Sequence, residues 1–534
     1  MSQSMNQAPE AAQWPGIRPS GHPVWKEIKI GLVALSLANL AFISSWFTML
    51  YDADFGYYNK FPVNKASLLA LAVNISWLTA LAWVFMRVLR RQPNRWLHLA
   101  VHVVFFFLLL LPLDFCRTFV CHISDYQLLQ FLRKPAAFSG LLVLLAAILW
   151  QHRRVARFSA VLVGVLSPLA LLTVTKTMML CVGLEHLAQA TSIPLLPPPG
   201  PVQEGRPRVV WIIFDEFDQR VAFDQRPSRV RMPEFDRLLQ ESLHATNAYS
   251  PAHCTLFSMP ALISGHRFSF VSIKNDSDLS VTFADTTDTN SWREMPSVFS
   301  AARELGFNTA LVGWFHPYDR VLGKFLNYCL WYPHPMDEAA RASTFSAAMR
   351  REILCTTGTL HRRMLYLDIC VDTLAGSLSL VTNRTYGLLL LHLPPPHKPG
   401  IYLPSQDRFT VLSMSKSTGY LNNLGLVDRE LGSLRRAMET SGQWNKTWLL
   451  VSTDHAWRES RYYDGQLDLR VPFVVRAPGA DKAITYSAQV NTVLTHDLIL
   501  AILRGELTNQ EDVAPWLDAH PRAEPTIVGN GQTE

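Results

Sequence analysis

Residues 446–457 read KTWLLVSTDHAW, a run of strand-forming residues that ends in an aspartate and a histidine, Asp454 and His455. A strand that is apolar on both faces belongs inside a parallel sheet, and the residues at its carboxyl end open into the crevice where such sheets bind ligands. The two side chains are therefore candidates for a functional site. A turn aspartate beside a capping histidine explains this stretch alone equally well.

Four other short apolar runs in the second part of the chain have the same character. They alternate with segments of helical spacing, such as residues 232–242 and 295–305, which predicts an α/β domain with a mostly parallel sheet. The four runs are RVVWIIFDEFD (208–218), NTALVGWFH (308–316), YGLLLLHLPPPH (386–397) and VPFVVRAPG (471–479).

Most of these strands end in side chains that bind metals or transfer protons. Carboxylates and imidazoles that converge on the carboxyl edge of one sheet would suit a divalent metal such as zinc. The residues concerned are Asp215, Glu216, His316, His392, His397, Asp454 and His455.

An oxyanion ester bound at such a site still needs a nucleophile. Between the first two strands lies AYSPAHCTLFSMPALISGH (248–266), a hydroxyl-rich turn followed by a predicted helix. Thr255 is our candidate, because the amino terminus of a helix favours a phosphate and metal coordination lowers the pKa of a hydroxyl. An ordinary helix cap is the alternative for this residue.

The first third of the chain has a different composition. Five apolar runs predict transmembrane helices at residues 30–50, 66–86, 97–113, 138–150 and 158–180. The loops after the second and fourth runs are rich in arginine and are expected in the cytoplasm, which places everything after the fifth run on the other side of the membrane. These basic flanks explain much of the net charge of +6, so we do not expect nucleic-acid binding.

This pattern predicts five consecutive regions. They are a cytoplasmic leader (1–29), a five-span transmembrane domain (30–190), a proline-rich linker (191–207), a catalytic domain (208–527) and a tail (528–534).

Residues 208–479 resemble the alkaline phosphatase and sulfatase superfamily. The resemblance is carried, in order, by FDEFD, LGFNTALVGWFH, STDHAWRES and LRVPFVVRAPG. With the preceding spans, the chain is most similar to the membrane-anchored phosphoethanolamine transferases, and phosphoglycerol transferases are relatives. The resemblance implies an alkaline phosphatase-like catalytic domain on the periplasmic side of a bacterial inner (plasma) membrane.

The family patterns also imply roles for individual residues. TLFSMP fits the transferases' T-x-x-S-x-P, which implies that Thr255 is the nucleophile, and the sulfatase register counted back from Gly265 reaches the same residue. Cys254 is one position out of register, which argues against formylglycine chemistry. The implied metal ligands are Asp215, Glu216, Thr255, Asp454 and His455, and the expected substrate contacts are His316, His392 and His397.

The resemblance implies a metal-dependent phosphotransferase that uses one or two divalent ions, with zinc expected. It would move a phospholipid head group, phosphoethanolamine or similar, to a surface glycan or lipid through a phosphothreonine. Two alternatives remain open: a membrane-anchored sulfatase-like ester hydrolase (a phosphodiesterase or a sulfuric ester hydrolase) and a catalytically inactive membrane partner. The sequence departs from the family where Trp314 replaces a sulfatase lysine and where no histidine follows the Asp454–His455 pair up to Gly479.

Overall fold

The structure is a computed structural model that describes residues 23–51, 56–61, 63–123, 125–183, 194–200, 205–335, 342–412 and 414–528. Most of the predicted leader (1–22), parts of the predicted linker (191–193 and 201–204) and most of the predicted tail (529–534) lie outside these residues.

The first third of the chain is helical. Its helices are α1 Pro23–Ala41, α2 Ile43–Tyr51, α3 Lys65–Arg91, α4 Arg95–Phe115, α5 Asp125–Leu132, α6 Pro135–Trp150, α7 His152–Val165 and α8 Pro168–Gly183. Many large apolar side chains on these helices point away from the protein, including Phe107, Leu142, Val143 and Leu171. Hydrocarbon is the solvent in which such faces are stable, so this part is compatible with a membrane anchor.

The number of membrane spans depends on how bent helices are counted. By length and composition, α3, the Arg95–Val120 helix and Thr359–Val381 can each cross a membrane alone, and three bent pairs raise the number to six. The pairs are α1 with α2, α5 with α6 and α7 with α8, with bends of 68°, 92° and 40°. Thr359–Val381 belongs to the catalytic domain, where Tyr366 and Cys370 lie in the core. The predicted five spans therefore require each bent pair to cross as one span.

The catalytic domain alternates strands and helices. Its strands are β1 Val209–Asp215, β2 Leu243–Tyr249, β3 Phe268–Asn275, β4 Asp278–Phe283, β5 Thr289–Ser291, β6 Thr309–Trp314, β7 Tyr328–Tyr332, β8 Leu388–Pro396, β9 Tyr402–Leu403, β10 Arg408–Phe409, β11 Trp448–Ser452, β12 Arg470–Arg476, β13 Ile484–Tyr486 and β14 Val490–Asn491. Its helices are α9 Pro233–Leu239, α10 Thr255–Ser264, α11 Val298–Glu304, α12 Tyr318–Val321, α13 Phe345–Cys355, α14 Thr359–Val381, α15 Lys416–Thr440, α16 Arg461–Asp464, α17 Thr495–Arg504 and α18 Val513–Ala519.

The central sheet has the strand order β13-β2-β12-β11-β1-β8-β6-β7, and β14 also pairs with β2. The run from β11 to β7 is parallel, and β12 is antiparallel to both of its neighbours. The prediction of an α/β domain with a mostly parallel sheet is therefore confirmed. All five predicted strands are present.

Helices cover both faces of the sheet because its central strands are apolar on both sides. On β1, Trp211 and Ile213 face the core that contains α10 and α17, whereas Ile212 and Phe214 face the core that contains α15. Full burial of each such side chain contributes about 1.5–3 kcal/mol. The sheet is thus a rigid platform, and its polar residues are confined to the strand ends.

The helical part and the catalytic domain touch along α13. Asn74 on α3 donates hydrogen bonds to Glu352 Oε2 (2.8 Å) and to the Met349 carbonyl (3.2 Å). Ser45 on α2 donates to the Glu352 carbonyl at 2.8 Å. These buried polar contacts fix where the first helices meet the catalytic domain.

Candidate metal and active site

Three adjacent parallel strands place their carboxyl ends at one point. Asp215 ends β1, His392 lies in β8, and Asp454 with His455 follow β11. All four side chains are buried. The β1–β8 pairing shifts register between Phe214 and Asp215, where the ladder gives way to the turn that begins the site.

A cluster that suits a cation lies at this edge. One ligand atom each from Asp215, His392 and Asp454 lies within 4.8 Å of the other two. His455 Nε2 lies 3.5 Å from Asp454 Oδ2 and 3.7 Å from Asp215 Oδ1. Among the described residues, neither Asp454 Oδ2 nor His392 Nε2 has a hydrogen-bond partner, although both atoms are buried.

The histidine tautomers explain why a cation fits. His455 Nδ1 lies 2.9 Å from the Ala456 carbonyl, and a carbonyl only accepts, so the proton is on Nδ1 and Nε2 presents a lone pair. That lone pair faces two carboxylates. Acceptors that face one another in a buried place are costly unless a cation lies between them, so this donor set fits a divalent metal.

The pKa values of the imidazoles agree with this assignment. Burial and, to a smaller extent, the nearby Arg458 together lower the pKa of His455 to about 3. Burial likewise lowers the pKa of His392 to about 3. Both rings are therefore neutral at neutral pH, which is the state that binds metals.

The turn after β1 is strained and braced. Glu216 adopts a positive φ of 64°, a conformation that costs an ordinary residue about 1–3 kcal/mol. Its amide donates to Asp454 Oδ1 at 3.1 Å, and its carbonyl accepts from the Tyr420 hydroxyl at 2.9 Å. The same hydroxyl accepts from the Asp218 amide at 3.1 Å. These bonds hold Glu216 beside the cluster.

The Glu216 carboxylate points to a different partner from the one predicted. Its Oε1 lies 3.3 Å from Arg458 Nε. It is not part of the Asp215, His392 and Asp454 group. In this structure Glu216 is therefore an ion-pair partner of Arg458 at the side of the cluster.

Thr255 is the first residue of α10 and lies against the cluster. Its Oγ1 is 3.4 Å from Asp215 Oδ2 and 3.4 Å from His455 Nε2. Because α10 presents the positive end of its dipole here, negative charge beside this hydroxyl is stabilised. The structure thus brings the predicted nucleophile together with two of the predicted metal ligands, Asp215 and His455.

The three histidines that were predicted to contact substrate lie in different surroundings. His316 Nδ1 lies 2.9 Å from the Tyr57 hydroxyl and its Nε2 lies 3.1 Å from the Thr255 carbonyl, so both ring nitrogens have protein partners. His392, predicted to contact substrate, lies among the metal-binding side chains. His397 packs on Trp314 with ring centroids 5.4 Å apart, and its Nδ1 donates to the Lys398 carbonyl at 2.7 Å.

A cavity of about 430 Å³ lies between the two parts of the chain, and His397 is among the residues that line it. From the helical part it is lined by the segment around Thr118 and Tyr126, and from the catalytic domain by basic side chains. Those side chains are Arg362, Arg363, Lys398 and Lys416, and the imidazoles of His334 and His397 also line the cavity. Both lysines also contact Glu459, with Nζ to Oε1 distances of 3.4 and 2.7 Å.

Several side chains at the site were not among the predictions. Arg458 lies three residues after His455, in a stretch where only Asp454 and His455 were predicted to belong to the site. Tyr318 Oη lies 2.9 Å from His392 Nδ1, which turns Nε2 of that ring toward Asp215. Tyr57 reaches the site from the first third of the chain. Spacing from a known ligand was the available signal for Arg458, and no local pattern indicated the two tyrosines.

A mostly parallel sheet that gathers carboxylates, imidazoles and a helix-terminal threonine at its carboxyl edge is the architecture of a metal-dependent enzyme. Residues 207–504 match the family model described as Sulfatase, which spans more than half of the chain. The chain therefore belongs to the sulfatase family, within the alkaline phosphatase and sulfatase superfamily. Enzymes of this family use divalent metals.

A search among curated proteins found no match. Solved structures with a similar fold include the phosphonate monoester hydrolase of Agrobacterium radiobacter, at 13% identity and a TM-score of 0.39, covering 56% of this chain and 74% of that chain. The PsFucS1 sulfatase from Pseudoalteromonas sp. matches at 15% identity and a TM-score of 0.40, covering 57% and 69%. Murine ectonucleotide pyrophosphatase/phosphodiesterase 5 matches at 13% identity and a TM-score of 0.36, covering 56% and 95%.

Proposed function

We propose that this chain is a membrane-anchored phosphotransferase that moves a phospholipid head group, phosphoethanolamine or similar, to a surface glycan or lipid. The observation that carries the proposal is the position of Thr255, whose hydroxyl contacts Asp215 and His455 at a helix amino terminus. A hydroxyl in this position is oriented to attack a phosphorus atom. Donor and acceptor would be used in turn, with a phosphothreonine between them.

The side chains divide the work. Asp215, His392, Asp454 and His455 would hold one divalent metal, for which zinc is our expectation, and the metal would supply positive charge for the phosphoryl oxygens and favour ionised Thr255. Arg458 lies beside Glu216 with its side chain one-fifth exposed, which suits contact with a phosphoryl oxygen of the substrate. For Glu216 to act as a ligand, as the family pattern implies, it would have to leave Arg458.

The proposed transfer takes place in two displacement steps at the same phosphorus atom. In the first, the bond from Thr255 Oγ1 to phosphorus forms, the hydroxyl proton leaves, and the bond from phosphorus to the glycerol oxygen of the lipid breaks. The lipid alcohol departs with a proton. In the second step an acceptor hydroxyl attacks the same phosphorus, the bond to Oγ1 breaks, and Thr255 regains its proton.

The cavity between the two parts of the chain, which His397 lines, supports a lipid donor. It lies between the catalytic domain and the segment around Thr118 and Tyr126, which belongs to the apolar helical part. A lipid head group at the membrane surface can enter such a space without leaving the bilayer. Basic side chains on the catalytic wall suit its phosphate. We further propose a bacterial inner membrane, with the catalytic domain on the periplasmic side, because the arginine-rich loops after the second and fourth apolar runs are expected in the cytoplasm.

A sulfatase-like ester hydrolase is the second candidate, and the family match to sulfatases favours it. The two candidates differ in the group that accepts phosphorus or sulfur in the second step. Water is the acceptor in the hydrolase and an alcohol is the acceptor in the transferase. Both use a nucleophile at the start of α10.

The test uses the purified full chain in lipid nanodiscs with phosphatidylethanolamine labelled in its head group. We expect mass spectrometry to find the head-group phosphate on the peptide that contains Thr255, and label to move to an added glycan or lipid acceptor more than to water. Thr255→Ala should abolish turnover and adduct while metal content is retained, and Thr255→Ser should keep part of the activity.

Cys254→Ser is the matched control. It changes the neighbouring residue and places a good capping residue at the N-cap of α10, so activity should persist. Full activity of Thr255→Ala would disprove the mechanism. Release of all label to water would favour the hydrolase.

A further inference from the structure

The short segment that follows α2 is built into the catalytic domain. Residues 56–61 precede α3 in the helical part, yet Tyr57 is fully buried in the core that contains α10 and β6. Lys60 Nζ donates to the Trp331 carbonyl at 2.9 Å. The helical part therefore contributes a residue to the interior of the catalytic domain.

Buried polar contacts hold this segment in place. The Arg320 guanidinium donates to the carbonyls of Gly56 (3.0 Å) and Asn59 (2.6 Å). The Gly56 amide donates to Asp276 Oδ1 at 3.0 Å. A Cβ at residue 56 would lie 2.4 Å from Asp276 Oδ2, so a larger residue would have to displace this carboxylate. The position of Tyr57 is therefore fixed from both sides.

Two hydrogen bonds, through the ring of His316, connect the Tyr57 hydroxyl to the backbone of Thr255. His316 Nε2 lies 3.1 Å from the Thr255 carbonyl, which can only accept, so Nε2 carries the ring proton. Nδ1 of the same ring is then the acceptor, and the Tyr57 hydroxyl donates to it at 2.9 Å. Burial keeps His316 neutral, with its pKa lowered to about 3, and raises the pKa of Tyr57 well above its usual value. Donors and acceptors match along the whole chain of contacts.

We propose that Tyr57 is a positioning residue of the catalytic centre. Through His316 it holds the carbonyl of Thr255, and hence the first turn of α10, at the place where Thr255 Oγ1 meets Asp215 and His455. This inference rests on the proposed role of Thr255 as nucleophile. It makes catalysis depend on docking of the helical part, because Tyr57 is the donor that the described part of the chain provides for His316 Nδ1.

The critical variant is Tyr57→Phe in the full chain. The ring keeps its packing, and the buried His316 Nδ1 loses its donor, so the imidazole is free to tilt or change tautomer. We expect kcat for labelled phospholipid to fall about 10- to 100-fold, the scale of a small misplacement of a reacting group. KM and metal content should change little, and the unpaired Nδ1 should lower the melting temperature by only a few degrees. A residue that only supports the fold would lower stability and active fraction without lowering kcat per active site.

Active sites are counted by the Thr255 adduct formed in a single turnover. Tyr58→Phe is the matched control, since it removes a hydroxyl from the next residue and keeps the ring that packs on Phe315. It should retain activity within about twofold. Wild-type kcat in Tyr57→Phe overturns the inference.

A second pair of variants tests the contact from its other end and does not depend on how well Tyr57→Phe folds. Glutamine at position 316 can accept from Tyr57 and donate to the Thr255 carbonyl, so His316→Gln should retain more kcat than His316→Ala. Equal losses in the two overturn the inference. If Thr255→Ala is inactive and Tyr57→Phe is not impaired, only the positioning role fails. If Thr255→Ala is active, the proposed function fails and the positioning role fails with it.

Discussion

Asp454→Asn separates metal binding from folding, because the two oxygens of this carboxylate have different surroundings. Oδ1 accepts from the amides of Glu216 (3.1 Å) and His455 (2.8 Å) and so braces the turns on either side of the site. Oδ2 faces His455 Nε2 at 3.5 Å and has no hydrogen-bond partner within the described part of the chain. An asparagine keeps the first oxygen and replaces the second with an amide nitrogen, which cannot bind a cation.

The expected effect on metal affinity is large. Loss of an outer partner of a metal ligand costs about 10–100-fold in affinity, and loss of a charged ligand should exceed this range. A metal present at 100 times its Kd stabilises the native state by about 2.7 kcal/mol, which corresponds to roughly 4 °C for a domain of about 320 residues. We expect this shift in the wild type and almost none in Asp454→Asn. Without metal, the variant should be at least as stable, since its neighbouring Asp215 no longer faces a second negative charge.

Thermal unfolding of the full chain in detergent measures both quantities. The protein is stripped with a chelator and back-titrated with zinc, and the melting temperature is recorded at each step. Asp285→Asn, which changes an exposed aspartate remote from the sheet edge, is the control and should behave as wild type. A normal metal-induced shift in Asp454→Asn would refute the assignment of this carboxylate. So would a loss of about 2 kcal/mol or more in the metal-free state.

Two further perturbations test the surroundings of the site. Tyr420→Phe removes the hydroxyl that the Glu216 carbonyl and the Asp218 amide share. The free energy of unfolding, measured by chemical denaturation, should fall by about 2–4 kcal/mol. Tyr463→Phe is the control and should change this free energy by less than about 0.5 kcal/mol. Burial raises the pKa of Glu352 from 4.5 to about 8. Between these two pH values the native state keeps a proton that the unfolded state releases, so the stability that this group contributes is lost as the pH rises. Glu352→Gln should therefore melt at nearly the wild-type temperature at pH near 4.5 and increasingly above it up to about pH 8. An unchanged difference between the two proteins across this range would contradict the assignment.

The sheet and the site at its carboxyl edge could be predicted because parallel strands follow a simple rule. A strand that is apolar on both faces is buried, and its carboxyl end is then the first place where a polar side chain can open into a crevice. Asp215, His392 and Asp454 each lie at or near such an end. The rule therefore brings them together without any knowledge of contacts. Thr255 could also be predicted from the sequence, because it lies in a hydroxyl-rich turn before an apolar helix.

The contacts that assign individual roles depend on tertiary structure. The sequence places His316 at the end of a strand like His392, but β6 is separated from β1 by β8, and the ring meets the carbonyl of Thr255 and a tyrosine from another part of the chain. Glu216 was predicted to bind the metal, whereas its carboxylate lies 3.3 Å from Arg458 Nε in this structure. Neither outcome follows from residue spacing. The helical part shows the same limit, since hydropathy finds apolar runs and does not reveal where they bend.

Burial connects these observations. His392 and His455 are kept neutral by their surroundings, so the charge at the centre of the site comes from Asp215 and Asp454 and is negative. An anionic substrate would be repelled by this arrangement alone. Under the proposed function, a divalent cation would balance the carboxylates and make the site attractive to a phosphoryl group, with the α10 terminus and Arg458 adding positive potential at the rim. Dependence on metal is thus a consequence of where the fold buries its acids, and removal of the metal should weaken substrate binding as well as catalysis.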